Sequence, residues 1–275
     1  MALDQYFNRD EIVAAYEGRP LYSERAISAL FCSDRFPGGV LREGDAVADI
    51  GCGNGRFLTS LLQSETYRYA DISFEKVYAV DPADKMLESL STHFAGTNNL
   101  EARLGKFQEL PLDDKSVDAI VCAASLHWGT KTEEEAKETR AEFMRVLRPD
   151  GRLILISDNL SQKPGLTRQL HDLQHFYEQS FMNQHGMGER AWSFFPKDGF
   201  MLPLYYKYLA SLNDIRAEFT SQAFIHAMPD DERKDFDAEL EEILGSATIM
   251  GDGSVELERG CAIVGGTFKP IAATI

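Results

Sequence analysis

The residues that most clearly suggest chemistry lie in one short segment, residues 49–55, which reads Asp-Ile-Gly-Cys-Gly-Asn-Gly. It follows an apolar run at 46–50 and precedes a segment, 57–62, whose apolar residues recur at helical spacing. Glycines between a strand and a helix let the backbone approach a ligand closely. The acid Asp49 precedes the first glycine by two residues, and Arg56 stands where the dinucleotide-binding pattern GxGxxG needs its third glycine. The spacing therefore predicts a ligand-binding loop that differs from the NAD type.

A second acid, Asp81, ends the next predicted strand at 76–81. A carboxylate in this position can accept hydrogen bonds from the two vicinal hydroxyls of a ribose at the switch point of a parallel sheet. The alternative is that Asp81 only caps the helix that follows it. Met86, in that helix, is predicted to fill the core and to contact the ligand in part.

A third candidate group follows the predicted strand 117–124, where the chain reads Ser-Leu-His-Trp. A neutral imidazole can take a proton from an attacking hydroxyl or amine, so His127 is a candidate catalytic base, with a packing or gating role as the alternative. Trp128 is predicted to form the wall of a substrate pocket, or otherwise to fill the core.

These groups need a scaffold that brings strand ends together, and the rest of the sequence predicts one. Short apolar runs alternate with amphipathic segments, which is typical of an α/β fold with a parallel sheet between two helical layers. Strands are predicted at 46–50, 76–81, 100–104, 117–124, 151–157 and 261–268. We expect a Rossmann-like, doubly wound, mostly parallel seven-stranded sheet.

The expected organisation is a single domain, 1–275, with four parts. An N-terminal approach or lid segment covers 1–35, the ligand-binding core covers 46–157, and a closing helix with the last strand covers 229–275. Residues 158–228 are rich in aromatic side chains and show no regular strand alternation, so they are predicted to form an inserted helical lid.

In this order, the glycine loop, Asp81, the segment 125–128 and the Leu-Arg-Pro-Asp-Gly junction at 147–151 resemble class I S-adenosylmethionine-dependent methyltransferases. The segment 125–128 resembles the type 11 subgroup that includes trans-aconitate and biotin-pathway carboxyl methyltransferases. The likeness covers roughly residues 10–160, and it implies that the glycine loop holds the methionine part of the cofactor. The cofactor-site residues it implies are Arg19, Asp49, Gly51, Cys52, Gly53, Asp81, Pro82, Met86, Phe107, Gln108 and Ala123.

Two segments refine this resemblance. Residues 16–22, Tyr-Glu-Gly-Arg-Pro-Leu-Tyr, resemble a YxxRPxY segment that folds over the cofactor in the same subgroup. This implies that Arg19 meets the cofactor carboxylate, with a surface arginine as the alternative, and that Tyr22 lines the substrate pocket. Family members often carry an acid for the adenine amino group where this chain has Lys106. Because a lysine cannot accept a hydrogen bond, adenine recognition is expected from backbone groups, from Gln108 or from stacking on Phe107.

Composition excludes several classes of protein. A formal net charge of -16 would repel a phosphate backbone, so no nucleic-acid partner is expected. The polar first residues and the lack of a long apolar run predict neither a signal peptide nor a membrane span. The four cysteines lack CxxC spacing, and His171, His175 and His185 lack an accompanying carboxylate pattern, so no disulfide framework and no metal site are predicted. These features favour a cytoplasmic protein and leave its oligomeric state open.

The function expected is transfer of a methyl group to a small or medium organic acceptor, with S-adenosylhomocysteine as the product. Aromatic residues of 158–228 are predicted to roof the acceptor pocket, with an ordinary helical cap that has its own core as the alternative: Phe176, Tyr177, Phe181, Trp192, Phe194, Phe195, Tyr205, Tyr206 and Tyr208. Three alternatives stay open. They are a cofactor-binding protein of this fold that has lost transfer, a dinucleotide-dependent Rossmann enzyme, and a non-methyl use of the same cofactor.

Overall fold

The chain forms one sheet with helices on both faces. The structure is a computed structural model and describes residues 6–31, 39–69, 72–185, 190–194 and 199–269. Within these ranges, the strands are β1 Ala46–Ile50, β2 Lys76–Asp81, β3 Leu100–Leu104, β4 Val117–Ala123, β5 Leu147–Leu160, β6 Phe200–Ser211 and β7 Ser254–Thr267. The helices are α1 Asp10–Glu17, α2 Glu24–Phe31, α3 Arg56–Gln63, α4 Glu65–Tyr69, α5 Asp84–His93, α6 Glu133–Val146, α7 Leu166–His185, α8 Leu212–Thr220, α9 Ala223–Ala227 and α10 Asp230–Gly245. Short 3-10 helices cover Leu126–Gly129 and Arg190–Phe194.

The strand order is β3-β2-β1-β4-β5-β7-β6, which confirms the doubly wound, mostly parallel sheet. Strands β3, β2, β1, β4 and β5 are parallel, and β7 runs antiparallel to both of its neighbours, β5 and β6. The chain leaves β1 toward β2 on one side and reaches β4 on the other. Ligands of such sheets bind in the crevice outside the carboxyl ends of the strands at this reversal of order. The ends of β1, β2 and β4 are therefore the place where the site is expected.

The central strands are buried because both faces of the sheet are covered. All five residues of β1 are buried, and the residues of β1 and β4 alternate between two apolar clusters. One cluster packs against α2, α3 and α5, and the other packs against α6. A strand buried on both faces reads as a continuous apolar run, which is why the sequence predicts β1 with the bounds that the structure shows. The predicted bounds of β2 and of the half-exposed edge strand β3 also agree with the structure.

Strands toward the carboxyl end of the chain differ from the prediction. β5 runs from Leu147 to Leu160 and β7 begins at Ser254, so both are longer than predicted, and β7 lies inside the sheet between β5 and β6. The predicted helical segment 158–228 also contains the edge strand β6. Most of the residues in β6 are exposed or half-buried, including Met201, Tyr205 and Leu209, so its sequence lacks the buried run that marks the central strands.

The helices of the inserted segment make an apolar core of their own. Residues of α7, α8, α9 and α10 bury Leu170, Phe219, Phe224 and Phe236 against Leu257 of β7. The N-terminal helix α1 packs against α8 and α5, so the beginning of the chain contacts a segment about 200 residues later. In the described part of the chain, no helix combines the length and apolar character that crossing a bilayer requires. Histidines, cysteines and acids of the same described residues form no cluster suited to a metal ion.

Candidate functional site

A cavity lies at the carboxyl ends of β1, β2 and β4, and we call it the loop cavity. Its volume is about 120 Å³. Its lining comes from the glycine loop, the strand ends and the N-terminal segment: Phe7, Tyr16, Arg19, Tyr22, Asp49, Gly51, Cys52, Gly53, Asn54, Arg56, Phe57, Asp81, Pro82, Met86, Phe107, Ala123, Ala124, Ser125 and Trp128. The structure thus brings together every predicted cofactor-site residue except Gln108, and both predicted pocket residues, Tyr22 and Trp128.

Two glycines of the loop, Gly51 and Gly53, are required for different reasons. Gly51 has a φ of +71°, and a Cβ placed on it would lie 2.6 Å from the Cβ of Ser125, so a side chain has no room there. Gly53, with a φ of +55°, has no atom within 4 Å of such a Cβ. The open space over Gly53 belongs to the cavity, so a ligand can approach the bare backbone at this point.

Asp81 both shapes the loop and faces the cavity. One carboxylate oxygen, Oδ2, accepts from the backbone N–H of Gly53 at 2.8 Å, and Oδ1 accepts from the N–H of Ala83 at 2.9 Å. Ala83 is the residue that precedes α5, so Asp81 holds the start of that helix from outside its first turn. Each carboxylate oxygen has a further lone pair available to a ligand hydroxyl. Burial raises the pKa of Asp81 to about 6, while the two N–H donors oppose the shift.

Asp49 is the most unusual group of the cavity. Its side chain is fully buried, and neither carboxylate oxygen has a hydrogen-bond partner among the described residues. Burial and the nearby charge of Asp81 raise the pKa of Asp49 to about 8. An unsatisfied buried carboxylate is destabilising unless a ligand supplies donors or positive charge, so this group fits a cavity built for a cationic ligand.

Arg19 enters the cavity from the segment that follows α1. Its guanidinium donates to the hydroxyl of Ser221 at 2.6 Å and to the carbonyl of Ser221 at 2.9 Å, and it stacks on the ring of Tyr16 at 3.7 Å. No carboxylate of the described chain lies within ion-pair distance of it. Arg19 is therefore anchored by neutral groups, and its charge is available to an anionic part of a ligand.

The expected adenine contacts are only partly present. Phe107 is buried, and its ring contacts Gly51 and Gly129 as it lines the cavity. Gln108 instead donates its side-chain amide to the carbonyl of Gly129 at 3.1 Å and lies outside the cavity lining. The backbone of Gly129 thus holds that amide, and the structure does not place Gln108 among the residues of the loop cavity as the prediction of an adenine contact requires. Met86 is buried against Tyr6 and Ile12 while it reaches the cavity, as its predicted double role requires.

A second cavity adjoins the first, and we call it the arginine cavity. The two share Tyr16, Arg19, Arg56, Ala124 and Trp128, and the arginine cavity adds these residues: Pro20, His127, Asp158, Asn159, Gln174, Glu178, Glu218, Gln222, Ala223, Phe224 and Arg259. Ala124 follows β4 with a φ of +54°, a conformation that is strained for a residue with a side chain. The strained backbone therefore lies in the wall between the two cavities.

A buried chain of charges forms one side of the arginine cavity. Nη2 of Arg56 lies 2.6 Å from Oδ2 of Asp158. Nε of Arg259 lies 3.1 Å from Oδ1 of Asp158, and its Nη1 lies 2.6 Å from Oε1 of Glu218. Asp158 is fully buried and also accepts from the hydroxyl of Tyr206 at 3.0 Å. Buried charges are tolerated when paired and hydrogen-bonded in this way. The chain joins α3, β5, β7 and α8 at the site.

His127 lies in the arginine cavity and not in the loop cavity. Its ring contacts that of Trp128, with centroids 4.8 Å apart, and no hydrogen bond to the described chain holds its nitrogens. Burial lowers the pKa of His127 to about 4, so the imidazole is neutral near pH 7. A neutral imidazole is the form that can take a proton.

The predicted aromatic roof is mostly wrong. Phe176 and Tyr205 are exposed, Phe194 packs in the core against Phe143 and Phe268, and Tyr177 contacts Phe236. The side chains of Phe181, Trp192 and Phe195 lie outside the described residues, as does that of His185. The aromatic residues that do reach the cavities are instead Phe7, Tyr16, Phe57 and Phe224, together with the predicted Tyr22, Phe107 and Trp128.

Sequence reasoning missed the charged residues of the arginine cavity. The sequence marks Arg56 only as the residue that stands in place of a glycine. Asp158, Glu218 and Arg259 belong to no local motif. One signal in the sequence is that charged residues stand in or beside apolar runs at 158, 218 and 259. Charged residues in such runs indicate buried pairs, because a charge is rarely buried without a partner.

Comparisons with known proteins agree with this arrangement. Residues 48–155 match the methyltransferase domain family. An uncharacterised methyltransferase of Mycobacterium tuberculosis is 36% identical over 162 residues, which are 58% of this chain and 56% of that protein. One from Schizosaccharomyces pombe is 27% identical over 84% of this chain and 85% of its own length. A solved structure from Anaeromyxobacter dehalogenans, described as a type II methyltransferase, superposes with a TM-score of 0.55 over 92% of this chain and 99% of its own, at 18% identity.

These likenesses are to methyltransferases, and the matched residues 48–155 run from within β1 into β5. The chain spans just over half the length of the mycobacterial relative it matches.

Proposed function

We propose that this protein transfers a methyl group from S-adenosylmethionine to a small or medium organic acceptor. The observation that carries the proposal is Asp49, a buried carboxylate that faces the loop cavity and has no hydrogen-bond partner among the described residues. The opposite charge, Arg19, enters the same cavity, and no carboxylate of the described ranges pairs with it. A ligand that bears both a cationic and an anionic group complements this pair, and the proposed cofactor has both.

The residues of the loop cavity have distinct roles in this proposal. Asp81 would accept from the ribose hydroxyls with the lone pairs that Gly53 and Ala83 leave available. Arg19 would bind the carboxylate of the methionine part, and Asp49 would face its positive charge. The cofactor supplies a methyl group already activated on a positively charged sulfur, so the protein needs mainly to align the acceptor and exclude water.

The arginine cavity is the proposed place of the acceptor, because it shares a wall with the loop cavity at Ala124 and Trp128. His127 faces this second cavity as a neutral imidazole, which can take a proton from an acceptor hydroxyl or amine. Cys52, Cys122 and Cys261 are free buried thiols, and this supports work in a reducing compartment such as the cytoplasm.

Calorimetric titration of S-adenosylmethionine and S-adenosylhomocysteine tests the cofactor assignment. We expect wild type to bind both ligands with micromolar affinity and Asp81→Ala to lose this binding. The variant removes the ribose acceptor and frees the Gly53 N–H that orders the loop. Asp84→Ala is the matched control, because Asp84 lies three residues away, is exposed and does not line the cavity.

Absence of binding by wild type, with binding of NAD in a parallel titration, would overturn the proposal in favour of a dinucleotide enzyme. Tight binding of the cofactor without turnover on any acceptor would favour a binding protein that has lost transfer.

A further inference from the structure

The charges of the arginine cavity do not all neutralise one another. Arg56 and Arg259 are paired with Asp158 and Glu218 in the buried chain of charges. Arg19 is anchored by Ser221 and Tyr16, and its charge binds the carboxylate of the proposed cofactor. One charged residue of the lining is left over, the carboxylate of Glu178 on α7.

Glu178 has little to stabilise its charge. Its only hydrogen bond comes from the side-chain amide of Gln174, at a long 3.4 Å, and no arginine or lysine of the described chain is within 4.0 Å. The cations that lower its pKa, His175, Arg19 and His171, act only at longer range, and burial outweighs them and raises the pKa of the carboxyl. A half-buried carboxylate with one weak donor is a ready partner for a positively charged group.

The rest of the lining sets the shape and polarity of what Glu178 could bind. Trp128 and Phe224 provide apolar surface for an aliphatic or aromatic body. A carboxylate ligand would need a free cation, but the guanidinium groups of Arg56 and Arg259 are already held by buried carboxylates. The electrostatic balance of the cavity therefore favours a positive head group over a negative one.

We propose that Glu178 selects the acceptor by binding a protonated amine, so that the arginine cavity takes amines with an apolar body and rejects carboxylates. The inference rests on the proposed function, because the arginine cavity takes an acceptor only if the loop cavity holds the cofactor. Glu178 is a specificity-determining residue in this account, and its carboxylate binds the ammonium group while the walls contact the body.

Two matched probes test the inference: benzylamine, which is protonated at pH 7, and benzoate, which has the same ring and the opposite charge. S-adenosylhomocysteine is titrated first into wild type, Glu178→Gln and Asp172→Asn, and each probe is then titrated calorimetrically into the complex. Asp172→Asn is the matched control because it removes a carboxylate from the same helix at an exposed position paired with Arg168.

We expect benzylamine to bind wild type and Asp172→Asn equally, and to bind Glu178→Gln about tenfold or more weakly, as loss of a charged hydrogen bond predicts. Benzoate should bind wild type more weakly than benzylamine does. Thermal unfolding should show Glu178→Gln to be as stable as wild type or more so, because the variant removes a poorly compensated charge.

The inference would be overturned by benzoate binding as tightly as benzylamine, by equal binding of benzylamine to wild type and Glu178→Gln, or by no benzylamine binding at all. Failure of the first titration is a separate result. It would contradict the proposed function, and benzylamine titrated into the ligand-free protein would then still decide the role of Glu178.

Discussion

The loop cavity and the arginine cavity share a wall, yet they treat buried charge in opposite ways. In the part of the chain that the structure describes, Asp49 of the loop cavity is buried with no partner, and Asp81 is held by two backbone N–H groups alone. Across Ala124, the equally buried Asp158 is paired with two arginines and a tyrosine. A buried carboxylate such as Asp49 gains its partner only when a ligand binds. The ion pairs of Asp158 are complete without a ligand, so they stabilise the fold in either state.

The largest effect that this comparison predicts is on stability, in the arginine cavity. Asp158→Asn keeps the shape of the side chain but leaves Arg56 and Arg259 buried with one carboxylate fewer. Loss of one member of a buried ion pair should lower the free energy of unfolding by about 3 kcal/mol, measured by urea denaturation. A loss below 1 kcal/mol, on the scale of an exposed ion pair, would contradict the comparison.

The corresponding change in the loop cavity, Asp49→Asn, should act in the opposite direction. Folded Asp49 keeps its proton up to about pH 8, whereas the unfolded chain releases it near the ordinary value of 3.8, so stability is lost as the pH rises between these values. We therefore expect Asp49→Asn to unfold at a higher temperature than wild type at pH 8, and at a similar temperature near pH 4.

The same variant should weaken binding of S-adenosylmethionine by about tenfold, because a charge-assisted contact is lost. In wild type the affinity should increase as the pH rises toward 8, since Asp49 must be ionised to stabilise a positive charge. In Asp49→Asn only the smaller dependence near pH 6, from Asp81, should remain. Calorimetry between pH 5 and 9 measures both effects, and parallel pH profiles for the two proteins would contradict the assignment.

The smallest effect concerns His127. Its folded pKa of about 4 lies below the ordinary 6.5, so the unfolded chain binds more protons between these values and stability is lost as the pH falls through them. His127→Gln should match wild type in melting temperature from pH 7 to 8 and should lose less stability than wild type from pH 6.5 to 4.5. An equal loss of stability in the two proteins from pH 6.5 to 4.5 would contradict the lowered pKa of His127.

The loop cavity could be predicted from sequence far better than the arginine cavity, for a physical reason. The glycines and Asp81 lie at the ends of buried strands, and a run such as 46–50 marks the strand and its end within one short window. The ion pairs join partners that are 102, 101 and 41 residues apart, so nothing local records them.

The sequence does not predict edge strand β6, for a related reason. Met201, Tyr205 and Leu209 point to the exposed side, whereas Leu204 and Ala210 are the buried residues of the strand. An exposed face that is apolar and aromatic hides the alternation of polar and apolar residues on which a strand prediction depends. Gln108 shows the other limit, because a sequence motif does not fix the direction of a side chain, and this side chain donates to the carbonyl of Gly129.

The contact of Arg19 with Ser221 also bears on how the protein is made. It joins residues 202 positions apart, and the chain of charges needs Arg259, close to the end of the described chain. Contacts of such long sequence separation form late in folding, because long loops must close first. On the ribosome, the contacts of both cavities can therefore be complete only after the residues up to Arg259 have emerged. A fragment limited to residues 48–155, the part that carries the family likeness, would contain the glycine loop and lack Arg19, Asp158 and strand β7.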